Sequence, residues 1–249
     1  MLIDMHAHIM AGIAKESRIS LNLIRERYGV EHIIISALKT QQPAEDEVKQ
    51  LNDVAYECMK EDPDFISALC YINPRNLNSL EELEHNLDRG MVGVKLWTAT
   101  YCNDPLVYPI AEKCIERNKP ILIHTFNKTV NKLPCESRAE HVADLARRYP
   151  ELTVVMAHMG GAAFQELPVI KKLTNVYVDF SGGVNRADDL PYALELLGSK
   201  RIMFASDAPV GIHPSYGQLM DAKLTQEEFD DIAWRNADKV FLGGRYAKV

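Results

Sequence analysis

The chain has 249 residues, 47% of them hydrophobic and 25% charged, which allows one large buried core with an ordinary globular surface. A formal net charge of −7 leaves no basic patch to track a nucleic-acid backbone, so that partner class is excluded. The five cysteines (Cys58, Cys70, Cys102, Cys114 and Cys135) form no CxxC pair, which argues against a disulfide scaffold and for a reducing compartment. There is no cleavable leader and no apolar run of about 18 residues, so the expectation is a cytoplasmic protein without a membrane span.

Short runs rich in Ile, Val, Leu and Phe recur at 2–9, 31–38, 64–73, 91–97, 120–126, 153–159, 175–181 and 202–207, and helical periodicity follows each. Runs such as Ile33-Ile34-Ile35 and Ile121-Leu122-Ile123 show no polar alternation, as expected of parallel strands buried on both faces. Eight such runs alternating with amphipathic helices predict an α/β fold, a single-domain (β/α)8 TIM barrel spanning 1–249.

The helices carry their own signals. Val48, Leu51, Ala55, Cys58 and Met59 follow a 3.6-residue period, as do Val142, Leu145, Ala146 and Tyr149, then Leu190, Ala193, Leu194 and Leu197. Ser79 with Glu82, Ser137 with Glu140 and Thr225 with Glu228 fit capping boxes, and Pro105 fits a first helical turn. The stretch 208–224, with Pro209, Gly211, Pro214 and Gly217, reads as a long structureless loop leaving the last strand, a candidate lid or pocket wall.

Polar residues interrupt the C-terminal ends of these strands. His6 and His8 sit two apart in Asp4-Met5-His6-Ala7-His8, so on a strand they face one side. Asp4 is expected on that face one layer deeper, as a hydrogen-bonding group. Lys95 ends the fourth strand, His124 the fifth, His158 the sixth and Asp207 the eighth. Taken singly, each has a plain alternative: a buried hydrogen-bonded histidine, a helix cap, a charge paired inside the barrel. In a closed barrel all of these ends converge on one mouth, where such enzymes carry their sites. Three imidazoles and a carboxylate (His6, His8, His124, Asp207) suit a divalent ion, zinc best, with an open position for water. His158 or Asp207 would move protons. Lys95 has three readings: carboxylated and bridging a second metal, binding an acidic substrate, or pairing with a buried acid. Trp97, Tyr101 and Phe126 are candidate pocket walls, with Lys95 and Trp97 singled out for substrate binding. His32, His85 and His141 read as structural or surface residues, and His213 as either a pocket or a solvated residue.

The chain from Ile3 to Phe241 resembles the amidohydrolase superfamily, and within it the amidohydrolase-related branch that includes amino-carboxymuconate-semialdehyde decarboxylase. The resemblance rests on Asp4-Met5-His6-Ala7-His8, Gly93-Val94-Lys95-Leu96, Ile123-His124-Thr125, Met156-Ala157-His158-Met159-Gly160-Gly161, Ala205-Ser206-Asp207 and the closing Asn236 to Phe241 segment. It implies His6, His8 and His124 as metal ligands and Asp207 as a ligand that also orients or deprotonates water. It implies His158 as a group acting on water or substrate, or as a ligand in two-metal members. One metal is the first expectation, and a second ion on a carboxylated Lys95 the alternative.

The expected function is a metal-dependent hydrolase that activates water to cleave a small amide, lactone or ester. The rival is a non-oxidative decarboxylase using the same metal site, with Lys95 or Arg186 binding a carboxylate. A catalytically idle metal-binding barrel is the third reading. The short loop around Met10 to Glu16 implies an open mouth or a small substrate, and a homodimer partner is one way to complete the pocket.

Overall fold

The computed structural model describes residues 1–182, 186–209 and 211–247. Eight parallel strands lie in chain order: β1 (Ile3–Met10), β2 (His32–Leu38), β3 (Ile66–Tyr71), β4 (Gly93–Leu96), β5 (Ile121–Ile123), β6 (Val154–Met156), β7 (Val176–Asp179) and β8 (Ile202–Met203). The ring closes where β1 meets the segment after β8. There the Met5 N–H donates to Phe204 O (3.2 Å), the His8 N–H to Ala208 O (2.9 Å) and the Asp207 N–H to His6 O (2.8 Å). Around the strands stand α1 (Ala14–Tyr28), α2 (Glu45–Glu61), α3 (Ser79–Asp88), α4 (Tyr108–Glu116), α5 (Ala139–Arg148), α6 (Ala163–Ile170), α7 (Asp189–Leu197) and α8 (Ile212–Asp221). Two short helices follow, α9 (Gln226–Asp230) and α10 (Asn236–Phe241). This is the (β/α)8 barrel that the strand pattern predicts. No helix among the described residues is long and apolar enough to cross a membrane.

Two apolar layers hold the barrel. The outer one packs strand residues such as Ile33, Val94, Ile121 and Val154 against Leu51, Ile110, Val142 and Leu167 of the helices. The inner one stacks Ile3, Met5, Ile34, Leu69, Leu122, Val155 and Met203 on one another and on Phe241 of α10. Because parallel strands bury both faces, both sets are fully apolar, which explains the missing alternation in sequence.

β1 departs from strict alternation. Asp4 pairs with Ile33 but Ala7 pairs with Ile35, so three steps on β1 match two on β2. Ile3 and Met5 belong to the inner layer, Ala7 and Ile9 to the outer. The bulge therefore turns His6 inward directly after Met5, and Asp4 does not share the face of His6 and His8. Instead Asp4 accepts from the Ser206 N–H (3.0 Å), the Ser206 hydroxyl (2.5 Å) and the His6 N–H (3.3 Å), across the β1–β8 seam.

Three further expectations change. The 208–224 stretch is not structureless: Ile212–Asp221 form α8, while residue 210 lies outside the described residues. Pro214 is tolerated because it occupies the first turn, where its missing N–H had no helical partner. Of the three capping boxes, Thr225 with Glu228 forms, whereas α3 starts without a side-chain cap. At α5 the contact runs one way, from the Arg138 N–H to His141 Nδ1 (3.0 Å), and Ser137 instead accepts from the Cys102 N–H (3.0 Å).

Candidate metal centre

The strand ends bring His6, His8, Lys95, His124, His158 and Asp207 to one mouth. His6 Nε2 lies 3.1 Å from His8 Nε2 and 2.8 Å from Lys95 Nζ. Asp207 Oδ1 lies 3.1 Å from His8 Nε2 and 3.7 Å from His6 Nε2. On the far side His158 Nε2 faces His124 Nδ1 at 3.2 Å. Donor atoms of His6, His158 and Asp207 all lie within 4.8 Å of one another, the geometry of a metal-holding group. Within the expected ligand set, His8 thus touches this trio through His6 and Asp207, while His124 reaches it through His158.

The fold places two of these residues in unusual backbone. His158 has φ 61° and Asp207 φ 57°, the left-handed region that side chains other than glycine rarely adopt. Each is pinned there, His158 by its N–H to Asp179 Oδ1 (3.0 Å) and Asp207 by its N–H to His6 O (2.8 Å). Gly182 closes over both. A Cβ there would lie 2.6 Å from His158 Nδ1 and 3.0 Å from Asp207 Oδ2.

The partners of the imidazoles assign their tautomers. His6 Nδ1 faces Asp179 Oδ2 at 3.0 Å and must donate, leaving a lone pair on Nε2. His158 Nδ1 lies 2.8 Å from the carbonyl of Ser181 and also donates, leaving a lone pair on Nε2. His124 Nε2 lies 3.0 Å from Glu136 Oε1 and donates, leaving a lone pair on Nδ1. His8 Nδ1 sits 3.0 Å from Ser36 Oγ. Two lone pairs therefore face each other at 3.2 Å between His158 and His124, and others crowd the Asp207 carboxylate. A cation among them relieves that repulsion, so the residues fit a divalent ion.

The electrostatics agree. Burial, then the Lys95 charge, pushes His6 down to about 3, against the raising effect of Asp179. Burial pushes His124 down to about 4 and lowers His8. All three are thus neutral imidazoles, the form that binds metal. Burial would raise Asp207, but its hydrogen-bond contact with His8 and the polar imidazoles of His158 and His6 around it hold it well below the usual carboxylate range. Burial lowers Lys95 to about 8, with Asp207 and Asp179 opposing.

Two carboxylates of this arrangement were not singled out in the sequence. Asp179 follows Val176-Tyr177-Val178 at the same strand-end position as the other site residues, and that position is its available signal. Glu136 comes from the loop between β5 and α5, where no periodicity marks it. Among the wall candidates, the Phe126 ring lies 5.8 Å from that of His158 and 6.2 Å from that of His124. Trp97 is half-buried and packs against the outer apolar layer. Tyr101 tilts over His141 (4.6 Å), Arg186 is exposed and paired with Asp188 (3.1 Å), and exposed His213 meets the Tyr28 hydroxyl (2.5 Å).

A family model described as Amidohydrolase matches residues 3–242. The chain belongs to the amidohydrolase family. No curated protein sequence matches it. Solved structures share its fold at low identity. One is 2,6-dihydroxybenzoate decarboxylase from Rhizobium (18% identity, TM-score 0.76, 97% of this chain and 98% of that one). Another is a dihydroxybenzoic acid decarboxylase from Polaromonas with bound manganese and 2-nitroresorcinol as inhibitor (18% identity, TM-score 0.76, 100% of this chain and 98% of that one). A third is 4-oxalomesaconate hydratase from Rhodopseudomonas palustris (18% identity, TM-score 0.69, 97% of this chain and 96% of that one). Proteins of this fold thus carry different reactions, decarboxylation and hydration among them, and the fold alone does not fix the reaction of this chain.

Proposed function

We propose that this chain is a metal-dependent non-oxidative decarboxylase of a small carboxylic acid, in place of the hydrolase expected first from its sequence. The observation that carries the reading is Lys95, a buried ammonium 2.8 Å from His6 Nε2 that faces the same space as the imidazoles. With a divalent ion, and with Lys128 offsetting Glu136, it outweighs the carboxylates of Asp207 and Asp179, so the centre is net positive and draws an anionic substrate. A neutral amide or lactone makes no use of that charge. The decarboxylases of the same fold, one of them with manganese, support the same choice.

His6, His158 and Asp207, together with His8 and His124, would hold a divalent ion, which would supply positive charge toward the substrate oxygens and the carbon that loses carbon dioxide. Lys95 binds the acid. Phe126 forms an apolar wall that suits an unsaturated or aromatic body. The bond to the carboxylate carbon breaks, carbon dioxide leaves, and its electron pair stays on the neighbouring carbon. Asp207, whose side chain is 31% exposed, carries the replacing proton in from the mouth.

The test is a screen of protein loaded with manganese or zinc against small aromatic and unsaturated acids, lactones and N-acyl compounds, with carbon dioxide release and hydrolysis measured separately. Carbon dioxide release, with Lys95→Met raising KM more than it lowers kcat, is the expected result. Hydrolysis of a neutral substrate without carbon dioxide release overturns the reading.

A further inference from the structure

Glu136 has no place in the sequence pattern of the site, yet it is fully buried beneath it. Its position has a backbone cause. The loop that leaves β5 returns alongside it: Thr125 and Ser137 form a parallel bridge, and the Phe126 N–H donates to Ser137 O at 2.9 Å. One residue back in both segments, that register sets Glu136 beside His124. The carboxylate meets the imidazole, with Oε1 3.0 Å from His124 Nε2.

The two oxygens have separate tasks. Oε1 takes the His124 ring N–H and also lies 2.9 Å from Lys128 Nζ. Oε2 accepts from the Leu133 N–H at 3.3 Å, further along the same loop. One carboxylate therefore ties the loop's outgoing residue Lys128 and its middle residue Leu133 to a histidine of the metal centre.

We infer that Glu136 is a positioning residue. It fixes His124 as the Nε2–H tautomer, so that Nδ1 presents its lone pair to the centre beside His158, and it makes that presentation depend on a folded β5–α5 loop. A carboxylate behind a ligating histidine sets the ring's orientation and basicity, and losing such a group typically weakens metal binding about 10–100-fold. The inference uses the metal centre but does not depend on which reaction the centre performs.

The tautomer is read directly by long-range proton–nitrogen NMR of 15N-histidine-labelled full-length protein, before and after zinc is added, with His124 assigned by its absence in His124→Gln. Manganese affinity is measured by titration. In the wild type, His124 is expected to carry its proton on Nε2. Glu136→Gln can keep a carbonyl oxygen at Oε1, so it should retain the tautomer and lose less than about tenfold in affinity. Glu136→Leu should lose the tautomer and about 10–100-fold in affinity. A wild-type His124 protonated on Nδ1 overturns the inference without any variant, even if Glu136→Leu fails to fold. A folded Glu136→Leu that keeps both tautomer and affinity overturns it too. A failed substrate screen leaves both readouts unchanged, so the two proposals fall separately.

Discussion

His6 donates through Nδ1 to Asp179 Oδ2 at 3.0 Å, and this contact decides which nitrogen of His6 faces the mouth. The other oxygen, Oδ1, accepts from the His158 N–H (3.0 Å), the Ser181 N–H (2.9 Å) and the Ser181 hydroxyl (2.6 Å). In Asp179→Asn the carbonyl must stay with those three donors, so the amide NH2 would point at His6 Nδ1. His6 would then move its proton to Nε2 and close its lone pair to the metal. Metal affinity should fall about 10–100-fold, as is typical when such a supporting group is changed. Calorimetric titration with manganese or zinc checks this, and unchanged affinity would remove His6 from the ligand set.

Gly182 and Gly198 offer a matched comparison, because both have positive φ (68° and 73°) but different surroundings. Nothing lies within 4 Å of a Cβ at Gly198, so Gly198→Ala should cost only the backbone strain of its φ 73°, ψ 161° conformation, about 1–3 kcal/mol, and spare metal binding. Gly182→Ala adds contacts at 2.6 Å to His158 and 3.0 Å to Asp207, so it should also displace both and lower turnover at least tenfold (on the order of 1.4 kcal/mol in barrier). Denaturation and metal titration of the two proteins separate the effects. Equal loss of metal binding in both would refute the assignment of Gly182 as the packing surface of the site.

His32 sits at the opposite, N-terminal end of the barrel, with Nδ1 3.0 Å from Asp64 O and Nε2 2.9 Å from Ser67 Oγ. Burial lowers its pKa below the ordinary 6.5. The unfolded chain therefore binds a proton near pH 6.5 that the folded chain does not. The neutral His32 contributes its full stability above that pH and loses it as pH falls further. Urea denaturation should show wild type losing more stability than His32→Gln between about pH 8 and about pH 5.5. Parallel losses would mean that His32 does not contribute.

Leu122 lies in the inner apolar layer, fully buried among residues from other strands. Leu122→Ala should destabilise the fold by about 2–5 kcal/mol, because the ring of strands cannot collapse into the cavity. Chemical denaturation measures the loss. A change below about 1 kcal/mol would show that the layer relaxes freely.

What could be read in the sequence follows from where polarity breaks a pattern. His6, His8, Lys95, His124, His158 and Asp207 stand out because each ends an apolar run, and closure of the barrel then gathers them. Asp179 stands in an equivalent place, but the half-polar Tyr177 and Ser181 around it blur the interruption. Glu136 could not be read, because its contact with His124 depends on a loop returning in register, which no local periodicity encodes. The slip in β1 was also invisible: alternation assumes an even ladder, and one extra residue between Asp4 and Ala7 reverses the face of everything before it. α8 was missed because Pro214 and Gly217 break helices in general, although a proline in the first turn does not.

The seam between β1 and β8 joins residues 202 positions apart, Asp4 and Ser206, and sets His6 beside Asp207. During synthesis the first strand leaves the ribosome about 200 residues ahead of its partner. Until then the N-terminal strand is an unpaired edge with two unsupported histidines. Loading of the ion therefore belongs to the finished protein, and any truncation before Asp207 should yield a chain that neither closes nor holds metal.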